Sequence, residues 1–270
     1  MPISPSDLAV EVPLQRTRPS LLTLISIAAA ASAFAGIARQ AVGQAIAARL
    51  ADAPWVSTST IFAQVNTPAR LAGACGTLAV LFLGGIAALL VRVDKRLTSG
   101  WYFLWVFACV SLMNSGRLLY SAISGTGDWS VVIAMFNPPW LWRTLLAAAG
   151  VFIYRPALRF AITTLRDLVE NAELGYRDLW RLVLAAYLTA GALLTAGAIL
   201  DPVNHGFLVI GVVGASFGLN SGLLLIPAFI PEPVESKPTP TRMPFSWLWL
   251  IFAFAAAVAF LAGLGRAIHF

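Results

Sequence analysis

Apolar residues fill seven long stretches of the chain, near residues 21–44, 71–93, 101–122, 139–155, 182–200, 207–230 and 246–265, with shorter polar segments between them. About 20 helical residues cover the roughly 30 Å hydrocarbon core of a bilayer, so the pattern predicts membrane-spanning helices. The predicted fold class is all-α, a polytopic transmembrane bundle of about seven helices. The fourth stretch is the shortest, because Pro138 and Pro139 cut it to a length that also suits a re-entrant segment. Residues 1–20 are polar, contain Pro2, Pro5, Pro13 and Pro19, and read as a mobile cytoplasmic tail. The apolar run after them is longer than the h-region of a signal peptide, which predicts a retained helix.

The polar segments differ in kind. Residues 52–69 form the longest external loop, with Pro54 and Trp55 suited to the membrane interface. Between 156 and 181, Leu158, Ile162, Leu165, Leu168 and Leu174 recur at helical spacing against Arg159, Arg166, Asp167, Glu170, Glu173 and Arg177. That alternation predicts an amphipathic helix on the cytoplasmic surface, a connector or a docking face for a partner. Residues 231–244 are a proline-rich linker, and 245–270 a last transmembrane helix that reads as an appended element after a helical core over 21–230. Gly214, Gly218 and Gly222 are four apart and form a ridge that lets another helix approach closely. No internal repeat is visible, which argues against a transporter built from duplicated halves.

Composition agrees with the membrane class: 59% hydrophobic and 11% charged residues, with a mean hydropathy of +0.81, lie outside the range of soluble domains. The basic residues then orient the bundle. With the N-terminus inside, the cytoplasmic segments hold Arg16, Arg18, Arg92, Lys95, Arg96, Arg155, Arg159, Arg166, Arg177, Arg181, Lys237 and Arg242, and the other side Arg49, Arg70, Arg143 and Arg266. This bias predicts a cytoplasmic N-terminus and, given no targeting segment, a bacterial cytoplasmic membrane. Loops facing anionic lipid account for the net charge of +6, so no nucleic-acid partner is implied.

Candidate chemistry is sparse. Cys75 and Cys109 fall in apolar helices and make neither a metal-site spacing nor a disulfide pair. His205, in a short external turn, and His269, beside the C-terminus, share no helix face with another strong ligand. The segment Arg39-Gln40-Ala41-Val42-Gly43-Gln44-Ala45 stands out, because its spacing is that of the zinc-protease pattern His-Glu-x-Gly-His. Gln40 and Gln44 occupy the imidazole positions and Ala41 the general-base position. An amide is a poor zinc ligand and alanine moves no proton, so neither a metal, a cofactor nor zinc hydrolysis is expected.

These residues, their helical continuation through Leu50, residues 68–74, Asn114 to Ser121, and Gly125-Thr126-Gly127-Asp128-Trp129 together resemble the site-2 protease class of intramembrane metalloproteases, the M50 type. The resemblance implies a degenerate, non-catalytic relative, with Asp128 at a position that completes the metal site in that class. Apart from any family, Arg39, Gln40, Gln44, Asn114 and Arg117 are polar groups at membrane depth, where such groups are costly and mark function or interhelical hydrogen bonding. Two readings stay open. One is a scaffold, regulator or accessory subunit bound to another membrane protein and the lipid bilayer; the other is a small transporter or binder of a lipophilic or anionic ligand. In the structural version of the cluster, the amides satisfy one another and Arg117 pairs with Asp128 or reaches the interface.

Overall fold

The computed structural model describes residues 19–43, 46, 49, 55–57, 69–125, 127–171, 173–200, 209–232, 243–263 and 267–269. The polar tail over 1–18, Gln44, Ala45, Pro68, Thr126, the turn with His205 and the linker over 233–242 lie outside the described residues, as do the side chains of Asp128 and His269. Among the described residues the regular structure is helical apart from a ribbon in which β1 (Trp55–Ser57) pairs antiparallel with β2 (Ala267–His269), Trp55 opposite His269.

At the centre stands α1 (Leu21–Ile37), whose second half is a run of alanine broken by Ser32 and Phe34. It is apolar all round, the pattern of a helix enclosed by others. Small side chains let three helices close on it: α3 (Ser99–Met113), α7 (Tyr176–Leu200) and α10 (Trp247–Ala262). Of the two remaining long helices, α2 (Ala69–Val93) packs on α3, and α6 (Pro139–Glu170) on α3 and on the short α4 (Gly116–Ser124). Among the described residues, five helical stretches are long and apolar enough to cross a membrane: Leu21–Gly43, Ala74–Val93, Ser99–Ser124, Pro139–Glu170 and Tyr176–Leu200. The chain therefore has the architecture of a helical membrane protein.

The expected count of seven long spans is not reproduced, and the differences have local causes. The sixth stretch is broken into α8 (Val209–Leu219), the single turn α9 (Gly222–Leu225) and a 3-10 turn (Ile226–Phe229) that carries Pro227 near its start. The seventh, α10, has 16 residues. The short fourth stretch instead opens the longest helix, since α6 runs 32 residues straight through Pro156, about 48 Å. The predicted surface helix near 156–181 is thus not a separate element. Its amphipathic pattern is real but belongs to the second half of α6, where Leu165 and Leu168 are buried and Arg159 and Glu170 exposed.

Nor is the last helix an appendage. The indole and phenyl rings of α10 interlock with α1 and α3, Phe252 stacking on Phe34 at 5.5 Å and Trp249 meeting Phe103 at 5.7 Å. Gly36 makes room for the buried Phe260, whose ring a Cβ at position 36 would overlap. At the other end, Ser20 N–H donates to Met243 C=O, the Thr23 hydroxyl donates to Pro244 C=O, and Ser246 N–H donates to Thr23 Oγ1. Contacts between the two starts and between residues 36 and 260 make α1 and α10 parallel.

A break inside a membrane leaves backbone groups that lipid cannot satisfy. At the break between α8 and α9, Tyr154 of α6 supplies the partner: its hydroxyl donates to Leu219 C=O at 3.0 Å and accepts from Gly222 N–H at 3.1 Å. Gly222 is glycine for the same reason, because a Cβ there would lie 2.6 Å from the tyrosine oxygen. Replacing Tyr154 by phenylalanine is expected to cost about 1–3 kcal/mol by stranding both groups. Hydrogen exchange should locate the loss at residues 219–222; unchanged protection there would refute this role.

Candidate functional site

The zinc-like segment sits where α1 changes its winding. From Ala38 to Gly43 the helix is π, its hydrogen bonds closing one residue further along than in the α-helix expected here. The widened turn carries Arg39 and Gln40, both buried, with exposures of 6% and 5%. Gly43 faces α2 at a backbone-to-backbone contact. A Cβ on Gly43 would overlap the Cα of Gly76 and lie 2.7 Å from its nitrogen, and Gly76 in turn lies against the Arg39 backbone and side chain. The glycine of the motif therefore has a packing duty independent of any metal.

Asn114 and Arg117 do not lie on one continuous helix, as the sequence pattern implied. The third span turns at Asn114 and Ser115, between α3 and α4, with the Ser115 hydroxyl donating to Leu112 C=O. The turn still brings the two together: Arg117 Nε donates to Asn114 Oδ1 at 2.7 Å. Asn114 is thus one partner of Arg117, while the pairing with Asp128 considered from sequence falls on a side chain outside the described residues. Gly125 and Gly127, at φ of 68° and 93°, make the left-handed turn that follows. Asp128 is the first residue of the short α5 (Asp128–Ile133).

Four of the five predicted cluster residues converge. Arg39, Gln40, Asn114 and Arg117 line one small cavity of about 20 Å³ together with Ser32, Gly36, Leu194 and Phe260. That volume holds about one water molecule. The Ser32 hydroxyl, fully buried at its edge, has no hydrogen-bond partner among the described residues. Ser32 and Phe260 were not legible as members, since a serine in an alanine run and a phenylalanine 221 residues from Arg39 carry no shared spacing. Among the described residues, no group of three or more His, Cys, Asp or Glu could hold a metal ion.

Two further concavities are larger. One, of about 310 Å³, lies between the turn joining α2 to α3 and the second half of α6, lined by Arg92, Asp94, Lys95, Trp101, Thr163 and Asp167 among others. The other, of about 370 Å³, is an open groove bordered by Tyr120 of α4, Tyr154 of α6, and Gly214 and Gly218 of α8. The predicted glycine ridge divides here. Gly222 is filled by Tyr154, whereas a Cβ at Gly214 or Gly218 would meet nothing within 4 Å among the described residues. Against protein-family models, curated proteins and solved structures, the chain gives no match.

Proposed function

We propose that the chain is a non-catalytic subunit of a membrane complex, a scaffold, regulator or accessory protein that packs against a transmembrane helix of another membrane protein. The observation that carries this reading is the bare ridge of Gly214 and Gly218 beside the open groove. In lipid, helices associate through close packing at small residues rather than through a hydrophobic driving force, and such a ridge gives a second helix that approach. The M50-like spacing of Gln40, Ala41 and Gly43 supports descent from such a protease, with the motif glycine here packed against Gly76. The transporter or ligand-binding alternative is weaker, because the cavity at Arg39, Gln40, Asn114 and Arg117 has room for little more than a water, which favours a polar clamp between helices.

Seven crossings with a cytoplasmic N-terminus, in a bacterial cytoplasmic membrane, suit this reading. Parallel α1 and α10 require an odd number of crossings between the end of one and the start of the other. Among the described residues four long helical stretches lie between, and a crossing by the broken segment 209–229 fits that parity. Its contacts run in step with α6, from Leu219 at Tyr154 to Phe229, whose C=O accepts from Arg166 Nη2 at 2.8 Å. The test is extraction from native membranes in mild detergent, with co-purifying proteins and bound zinc measured on one sample. We expect a stoichiometric partner without zinc, and its loss by at least about tenfold, or 1.4 kcal/mol, when Gly214 and Gly218 are both changed to leucine. A partner retained by that variant, or stoichiometric zinc, would overturn the proposal.

A further inference from the structure

The cleft of about 310 Å³ between the α2–α3 turn and α6 gathers charged side chains of both signs. Its rim carries two cations, Arg92 and Lys95, and two carboxylates, Asp94 and Asp167, with the Thr163 hydroxyl between α6 and the mouth. Among the described residues no ion pair joins these four charged side chains. Arg92 lies 5.7 Å over the Phe160 ring, and one oxygen of Asp94 accepts from Arg96 N–H at 3.0 Å. The floor is rigid: the buried Trp101 donates through Nε1 to Val91 C=O, and Trp105 Nε1 donates to Thr164 Oγ1. A cleft of this volume falls at the small end of ligand pockets.

Location selects the kind of ligand. The turn over residues 94–98 joins two helices of spanning length, so the cleft opens where the protein leaves the hydrocarbon. Exposed apolar side chains on α2, Ile86, Leu89, Leu90 and Val93, run along the helix that ends at this turn, Val93 being 83% exposed. A ligand with acyl chains along that helix would present its headgroup to the cleft. A charge-balanced rim of separated cations and carboxylates fits a headgroup that is itself a zwitterion, and matches neither a bare anion nor a bare cation.

We propose that this cleft binds a zwitterionic phospholipid with a primary ammonium headgroup. Arg92, Lys95 and the Thr163 hydroxyl hold the phosphodiester oxygens, and Asp94 and Asp167 accept hydrogen bonds from the ammonium. A trimethylated headgroup has the same charges but no N–H to donate, and an anionic headgroup leaves the two carboxylates opposing it.

The probe is the full chain in bilayers of equal parts phosphatidylethanolamine, phosphatidylcholine and phosphatidylglycerol, released and read by native mass spectrometry for retained lipid. The expected result is about fivefold enrichment of phosphatidylethanolamine over each of the others, the scale of one well-placed ion pair near a surface. The D94N/D167N variant should fall to the bulk ratio with an unchanged melting temperature, while E170Q, outside the cleft, should keep the enrichment. Soluble phosphoethanolamine at millimolar concentration should displace no lipid. Equal retention of the three lipids, a preference for the anionic one, enrichment that survives D94N/D167N, or displacement by the soluble headgroup would each overturn the assignment.

Discussion

Alanine at Gly43 is expected to destabilise the protein by about 1–3 kcal/mol, the cost of overpacking a close contact. The atoms in the way are the Cα and nitrogen of Gly76 and the carbonyl oxygen of Cys75, at 2.9 Å from the new Cβ for the last of these. Backbone cannot rotate aside as a side chain can, so α2 must move bodily. The opposing effect is the intrinsic gain of alanine over glycine in a helix, about 1 kcal/mol. Gly85, where a Cβ meets nothing within 4 Å, isolates that gain. Thermal unfolding in detergent should therefore show Gly85→Ala equal to or above the parent and Gly43→Ala clearly below it. A Gly43→Ala protein as stable as Gly85→Ala would mean that the π-helical turn does not press on α2.

Trp105 should show a larger effect. It is fully buried, stacked near Trp101 at 6.3 Å and Tyr102 at 6.1 Å, and its indole N–H ties α3 to Thr164 of α6 at 3.0 Å. Tyr102, its neighbour, reaches the other way and donates to Leu182 C=O of α7 at 2.8 Å. This aromatic girder thus links three helices at the end of the bundle that holds the charged cleft. Trp105→Ala removes the ring and opens a cavity, for which about 3–5 kcal/mol is expected. Trp105→Phe should cost much less, because Thr164 Oγ1 also bonds within its own helix, donating to Phe160 C=O at 2.8 Å. Melting temperatures in the order parent, Trp105→Phe, Trp105→Ala, with the largest step at the end, are the expected readout. Equal melting temperatures for the two variants would assign the stability to the hydrogen bond rather than to packing.

What was legible in the sequence follows from which interactions are local. The spanning helices declare themselves through runs of apolar residues. The breaks did not. Those at Asn114–Ser115 and Leu219–Gly222 lie within apolar runs, and the second persists because Tyr154, 65 residues away, completes its hydrogen bonds. Hydropathy has no access to such a partner. The same holds for α10, where a proline-rich linker suggested an appendage; Gly36 and Phe260 reveal its packing only once paired.

For the candidate site, polarity at membrane depth was the useful signal. Arg39, Gln40, Asn114 and Arg117 were singled out for that reason and do line one cavity. Motif spacing was less informative, because the α-helical register it assumed gives way to a π-turn at Ala38. The glycine ridge illustrates a third limit: sequence fixes the spacing of Gly214, Gly218 and Gly222, but only the fold divides it into one filled position and two open ones.

The central claim is that a helix of another protein lies in the groove beside Gly214 and Gly218, and cross-linking in the native membrane tests it directly. Tyr120 lines that groove and is the site for a photoreactive phenylalanine analogue of similar shape. Phe152, 82% exposed on α6 and outside the groove's lining, is the matched control. The account predicts that irradiation joins the Tyr120 variant to one protein species, that Gly214→Leu with Gly218→Leu abolishes the product, and that the Phe152 variant gives none. Cross-links from Tyr120 to lipid only, or the same protein captured equally from Phe152, would contradict it.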